Sequence, residues 1–461
     1  MNSLTCQLRS FLYLERVKLR VQYFPLIKQS SLDDFSLNGG WIELTADTDL
    51  TKVQDKYKFG TLEYKNGSSE LALFQGWKSH YRRITSGMPL YRKCNILGFI
   101  ANNNTKFVFI PEVSIEPIFT GPTIIPVVYN NWHMNRFSIV NFISQNLSTK
   151  IFNKILLNFT LLDDWITPAF RFEEAYTGMQ TKVKMAKPIV LAYFTYRGQL
   201  FKVELVGNIS KKNGQNDKYV NYKNDSWILI EGENSISSEQ AIFFATELRK
   251  MFSVVLARPL NTTQLSKKGI DRITHQSLTE DLYFLEMRFK NNKDKLLIYE
   301  MFQEKRDIQL NNLIPNWFNK GENFELLIQD YLLTISYNET VQNKLINLTE
   351  GIEAYYRDKD ENLHQKLEDM LNSLPEYIQD TLEKNVGDLD TWLSEIKDTR
   401  VYIAHGDRKE HVIDDFMELS RDVDTLQYLT QYFILQELGM KIEGKERVKI
   451  NLDSFFNTEE I

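Results

Sequence analysis

The sequence predicts an α+β multidomain chain. A β-rich N-terminal region, sandwich- or barrel-like with at least one helix, precedes an all-α helical bundle. Three observations carry this. Short β-prone runs bounded by turn signals recur over residues 1–310. From residue 321 onward apolar residues return at intervals of three and four instead. The charge changes sign at the same place: residues 1–320 hold 41 Lys and Arg against 30 Asp and Glu, and residues 321–461 hold 14 against 31. The expected domains are therefore 1–310, a sensor or regulatory region, and 321–461, the bundle. Two readings of the charge split are open. The basic part attracts a polyanion such as RNA, or the two parts dock and neutralise one another.

In the first region, Asn66-Gly67 sits inside the run from Gly60 to Phe74 and predicts a hairpin, because both residues tolerate the positive φ of a type I′ turn. Leu97–Ile110 and Ile189–Leu205 read as two more hairpins, the latter turning at Arg197-Gly198. Trp227–Ile230 and Leu296–Met301 read as short strands. One helix is expected over Ser237–Ala257, where Ser237 and Gln240 have capping-box spacing ahead of an apolar run. In the second region five apolar stripes are visible. They run from Phe324 to Ile335, Val341 to Tyr355, Leu363 to Leu374 (stopped by Pro375), Leu389 to Ile396 (after Gly387), and Val412 to Phe433 (before Gly439). These predict four to six packed helices.

Composition narrows the function. With 43% apolar and 25% charged residues the chain is globular, neither disordered nor fibrous. Two cysteines, Cys6 and Cys94, suit a reducing compartment and are too few for a cysteine zinc module. Arg9 and Glu15 interrupt any signal-peptide core, and no apolar run reaches membrane-spanning length. A cytoplasmic protein with no membrane contact is expected. Phosphate-binding P-loops, nucleophile elbows, paired zinc-ligand histidines and dinucleotide-binding glycine patterns are all missing from the sequence, and no cofactor is expected.

The segment Arg400-Val-Tyr-Ile-Ala-His405, followed by Gly406 and Asp407, stands apart. The spacing alone is expected by chance about 0.25 times in a chain of this composition. Its context adds weight, since Arg400 continues the stripe of Leu389, Leu393, Ile396 and Ile403. A guanidinium in such a stripe is costly unless paired or functional. The structural alternative is an ion pair with an acid such as Glu353. Residues five apart on one helix are separated by about 140° and about 7.5 Å, so the pair converges only if the helix breaks near Gly406 or a second copy joins across a two-fold axis. Lys397, Arg408 and Lys409 flank the segment and are candidate RNA contacts. A basic cluster with interleaved aromatics, Lys78, Arg82, Arg83, Arg92 and Lys93 with Trp77, Tyr81 and Tyr91, is a second candidate surface for single-stranded RNA. A metal site from His405, Asp407, His411 and Asp415 is a weaker reading, because the spacing matches no known ligand set.

The Arg400–His405 segment inside a helical bundle resembles the HEPN superfamily, which carries an Arg-x4–6-His motif. Residues 349–357, Thr-Glu-Gly-Ile-Glu-Ala-Tyr-Tyr-Arg, look like the second helix of such domains. The layout of a β-rich region ahead of the bundle resembles ApeA-type antiphage proteins. Val401 stands where many HEPN nucleases carry a polar residue. The resemblance implies a metal-independent endoribonuclease that works as a homodimer through its C-terminal helices. Arg400 and His405 would be catalytic, and the products a 2′,3′-cyclic phosphate and a 5′-hydroxyl. It also implies an abortive-infection role, with the N-terminal region sensing a phage-derived trigger. The rival expectation is a non-catalytic dimerisation scaffold. A solvent-accessible His405 favours the enzyme, and an Arg400 sealed against a carboxylate favours the scaffold.

Overall fold

The structure is a computed structural model that describes residues 33–44, 57–73, 93–100, 106–114, 130–134, 136–141, 150–162, 170–174, 181–185, 188–213, 220–286, 289, 310–336, 339–440 and 452. Its strands in chain order are β1 (Phe35–Leu44), β2 (Lys58–Lys65), β3 (Ser68–Leu73), β4 (Lys93–Ile100), β5 (Phe107–Ser114), β6 (Asn130–Met134), β7 (Arg136–Val140), β8 (Lys150–Phe159), β9 (Phe170–Glu174), β10 (Thr181–Met185), β11 (Ile189–Tyr196), β12 (Gln199–Asn213), β13 (Val220–Gly232), β14 (Thr262–Asp271) and β15 (Ser277–Phe284). The helices are α1 (Ser238–Leu256), α2 (Leu310–Phe318), α3 (Glu322–Ser336), α4 (Val341–Tyr355), α5 (Leu363–Ser373), α6 (Glu376–Val386), α7 (Leu389–His405) and α8 (Phe416–Glu437). The predicted order, β-rich then helical, is observed.

Two compact units interleave along the chain. One comprises Met1–Thr160, Trp227–Ala245 and Asn261–Lys290, and the other Leu161–Ser226, Thr246–Leu260 and Asn291–Ile461. In the first, strands follow the order β13-β8-β14-β15-β7-β5-β4-β1-β2-β3-β6, and each ladder whose register is described is antiparallel. The β2–β3 hairpin turns at Asn66 (φ 51°) and Gly67 (φ 79°), the positive pair that a type I′ turn demands. The β4–β5 hairpin pairs Leu97 with Phe109. One face of the sheet buries Trp41, Leu62, Ile96, Val108 and Ile110 around Phe35, Tyr64, Phe137 and Tyr283. Phe137 and Tyr283 stack at 4.8 Å. Trp41 donates its indole N–H to the Gly60 carbonyl at 3.1 Å. The ring lies close to Gly98, where any Cβ would come within 2.2 Å of it. The α1 capping box forms as the sequence demands: Gln240 N–H reaches Ser237 Oγ at 3.1 Å, and Ser237 N–H reaches Gln240 Oε1 at 3.0 Å.

The second unit holds the β11–β12 hairpin, which turns at Arg197 (φ 50°) and Gly198 (φ 76°), the β9–β10 pair, and helices α2 to α8. Phe318 at the end of α2 stacks on Phe194 of β11 at 4.2 Å. The bundle core is built from Leu327, Ile328 and Tyr331 on α3, Leu345, Leu348 and Ile352 on α4, Leu367 and Met370 on α5, Leu393 and Ile396 on α7, and Leu426, Leu429 and Phe433 on α8, all buried. A buried ionic cluster joins α1 to the end of α2. Glu247 accepts from Trp317 Nε1 at 3.1 Å and from Lys320 Nζ at 2.8 Å.

Two helices lie outside the sequence expectation. α2 precedes residue 321, and α6 follows Pro375, which fills the N-cap of a new helix besides ending the stripe before it. The strand expected at Trp227–Ile230 is the end of a longer β13. The fifth stripe becomes helical only at Phe416, because Asp415 caps α8 by accepting from Glu418 N–H at 2.9 Å. Leu296–Met301 and the cluster of Lys78, Arg82, Arg83, Arg92, Trp77, Tyr81 and Tyr91 lie outside the described residues, and of Lys93 only the backbone is described.

Candidate active site

α7 presents the candidate residues. It starts where Asp388 accepts from Thr391 N–H at 2.9 Å and stops at His405. Gly406 then takes φ 72° and ψ 5° and returns its N–H to the Tyr402 carbonyl at 2.8 Å. That left-handed C-cap is cheap only for glycine. Arg400 and His405 thus share one unbroken helix, with the break placed immediately after the histidine. Residues five apart on such a helix sit about 140° apart around its axis.

Arg400 is partly buried, its side chain 17% exposed, and its Nη2 donates to Glu353 Oε2 on α4 at 2.9 Å. The acid expected under the structural alternative is therefore its partner. The contact is not sealed, since Glu353 is 34% exposed. It is also a single bond and not a fork-to-fork pair. The Arg400 Nε is buried with no hydrogen-bond partner among the described residues. A guanidinium carries five donors, and the bond to Glu353 engages one of them. His405 is exposed, as the enzyme reading expects.

The loop after the motif is strapped back onto α7 by two side chains that sequence reading passed over. Asp398 Oδ2 accepts from His411 N–H at 3.3 Å, and Thr399 Oγ1 accepts from Ile413 N–H at 2.9 Å. Both side chains are buried, and the two residues immediately precede Arg400. They tie the loop to α7. The signal was two polar residues on an otherwise amphipathic helix, with nothing to say that their partners lay 13 and 14 residues ahead.

The three flanking cations all have acidic partners. Lys397 Nζ lies 3.2 Å from Asp398 Oδ1, Lys409 Nζ lies 2.5 Å from Asp407, and Arg408 pairs with Asp414 while its guanidinium lies 5.7 Å from the Tyr402 ring centre. The local patch is largely neutralised. On another face of α7, burial holds the Glu395 carboxyl above its ordinary value, with Asp422 and Glu418 adding repulsion. Burial does the same to Asp422, against the pull of Arg421. Glu395 precedes Arg400 by five residues, about 140° around the helix, so this acidic face is turned away from the arginine. Tyr402, Phe416 and Met417 are exposed around the α7–α8 connection, Met417 by 72%. Asp407 is paired and Asp415 caps α8, and no group of three metal-ligating side chains gathers among the described residues.

The stretch 289–443, which contains this whole arrangement, matches the family model for the Apea-like HEPN domain. Over that stretch the chain is similar to Apea-like HEPN domains. The matched span begins ahead of α2 and ends after α8, so the helix before residue 321 lies within the matched stretch. HEPN domains are generally ribonucleases. No curated protein matches the chain. Among the described residues no helix is long and apolar enough to cross a membrane.

Proposed function

We propose that the protein is an antiphage effector whose HEPN domain cleaves RNA without a metal, through Arg400 and His405. The observation that carries the proposal is an exposed His405 and a half-engaged Arg400 on the last two turns of one helix of an Apea-like HEPN domain. In the reaction the 2′-hydroxyl oxygen attacks the adjacent phosphorus as its proton passes to an imidazole. The bond from phosphorus to the 5′-oxygen breaks, and that oxygen takes a proton. A 2′,3′-cyclic phosphate and a 5′-hydroxyl result. Imidazole titrates near neutrality and serves either proton transfer. The guanidinium holds two phosphate oxygens and stabilises the charge that develops on them.

The 140° between the two side chains calls for a second copy. We place the contact at the exposed Tyr402, Phe416 and Met417, which would bring two motifs together across a two-fold axis. Met417→Asp is expected to shift the chain from dimer to monomer in light scattering and to remove cleavage. A dimer unaffected by this change rejects the placement. Binding of a phage-derived trigger by the N-terminal region, and growth arrest as its consequence, complete the proposal. The decisive test is to incubate the purified chain with single-stranded RNA in chelator and to analyse the ends formed. Cyclic phosphate ends support the reading. Absence of cleavage by the purified chain and in phage-infected cells that express it would falsify it.

The scaffold alternative keeps one observation in its favour, the Arg400–Glu353 pair.

A further inference from the structure

We infer that Asp398 and Thr399 are positioning residues for the Arg400–His405 pair, holding the end of α7 wound by tying the chain that leaves the helix back onto it; this rests on the ribonuclease reading above. The need for such a tie follows from where His405 sits. It is the last residue of α7. The final turn of a helix leaves its carbonyls without intrahelical partners, and it frays. A misplacement of about 1 Å can cost about a hundredfold in rate. A proton-transferring side chain on a terminal turn therefore depends on whatever keeps that turn in place.

The tie closes around the motif. Thr399 Oγ1 accepts from Ile413 N–H at 2.9 Å, and Asp398 Oδ2 accepts from His411 N–H at 3.3 Å. Arg400, His405 and Gly406 all lie within the stretch of chain that these two bonds close. From His405 back to Asp398 is about 10 Å along the helix axis. The stretch from Gly406 to His411 makes that return, although fully extended it would reach about 20 Å. Arg408 marks the path, with its guanidinium 5.7 Å from the centre of the Tyr402 ring. The loop thus runs back along the last turns of α7 and is fastened at its far end.

The two side chains are used unlike their neighbours in the bundle. Thr349, Thr381, Thr425 and Thr430 donate their hydroxyls to the carbonyl four residues back in their own helix, at 2.7 to 2.8 Å. The Thr399 oxygen instead accepts from another segment. Asp398 is 5% exposed, a depth at which a carboxylate is costly without donors. It has two, the His411 N–H and Lys397 Nζ at 3.2 Å. The Thr399–Ile413 bond is buried, so removing the oxygen leaves a donor unpaired away from water.

Thr399→Val keeps the shape and the β-branch and removes the acceptor. Two measurements on the full-length chain read the result. Hydrogen–deuterium exchange is expected to rise about tenfold across Val401–Gly406, as loss of one hydrogen bond implies, and to stay level in α4 and α5. On single-stranded RNA, kcat is expected to fall about tenfold, with KM within about twofold of the parent. Thr399→Ser restores the oxygen and is expected to return both readings to those of the parent. Asp398→Asn serves as the second variant if Thr399→Val melts early, with the same two readings shifted about threefold. Exchange that stays flat at the end of α7 overturns the inference. So does exchange raised equally through the whole bundle, which marks a merely structural bond, or a loosened helix end with kcat unchanged. A parent chain that cuts no RNA, purified or in infected cells, removes the ribonuclease reading. Exchange then decides the tie by itself: a rise confined to Val401–Gly406 supports it, and a flat profile overturns it.

Discussion

His405→Ala is expected to lower RNA cleavage about 100- to 10,000-fold, the range over which a positioned acid or base acts, while the melting temperature of the chain stays the same. The two halves of this expectation have separate causes. Loss of rate follows because His405 is the histidine of the Arg-x4-His segment that would carry the proton. His411 also lies near the end of α7 with its backbone N–H on Asp398, and His364 lies 3.2 Å from Asp390 at the other end of the helix. Unchanged stability follows because His405 is exposed. The helix ends through the backbone of Gly406, which does not depend on the side chain before it. Exposed positions of this kind are usually worth less than about 0.5 kcal/mol. Cleavage of end-labelled RNA and a thermal melt check both parts. A variant that cuts as fast as the parent excludes His405 from the chemistry. One that loses activity together with several degrees of melting temperature shows it to be structural.

The features legible in the sequence share one property: their cause is local. The Ser237–Gln240 box, the Asn66-Gly67 turn and the α7 stop at Gly406 each involve residues within a few positions of one another, and each forms as read. The features that escaped are of two kinds. α2 and α6 were hidden by proline. Pro315 sits inside α2, and Pro375 at the start of α6, where a fixed φ and a missing N–H cost little. The strap of Asp398 and Thr399 onto the α7–α8 loop escaped because it joins side chains to backbone across a loop of no regular period. The basic flank was misleading for a further reason. Lys397, Arg408 and Lys409 are cations in the sequence, while the acids that satisfy them, Asp398, Asp414 and Asp407, stand within a few residues of each. Net charge over a segment this short says less than the pairing of its members.

Arg400 carries the second large expectation, and Glu353 makes it diagnostic. Arg400→Ala is expected to cut cleavage about 100- to 1,000-fold, as loss of one transition-state donor does elsewhere, and Arg400→Lys to recover little of it, because an ammonium cannot span two phosphate oxygens. The reverse change is the more telling one. The Glu353 carboxylate sits 2.9 Å from Arg400 Nη2, where it competes with any phosphate for the same guanidinium. Both groups reach solvent, so the pair itself is worth only about 0.2–1 kcal/mol of stability. Glu353→Gln keeps the shape and removes the competing charge. If Arg400 serves RNA, this variant is expected to lower KM by about tenfold, equivalent to about 1.4 kcal/mol, with kcat and melting temperature close to the parent. If Arg400 serves the bundle, Glu353→Gln lowers the melting temperature and leaves KM unchanged. The same ion pair therefore makes opposite demands under the two readings. An arginine whose Nε is buried without a partner and whose carboxylate is held by one bond at a half-open surface is a poor structural staple, since a staple gains most when every donor of the fork is filled and sealed from water.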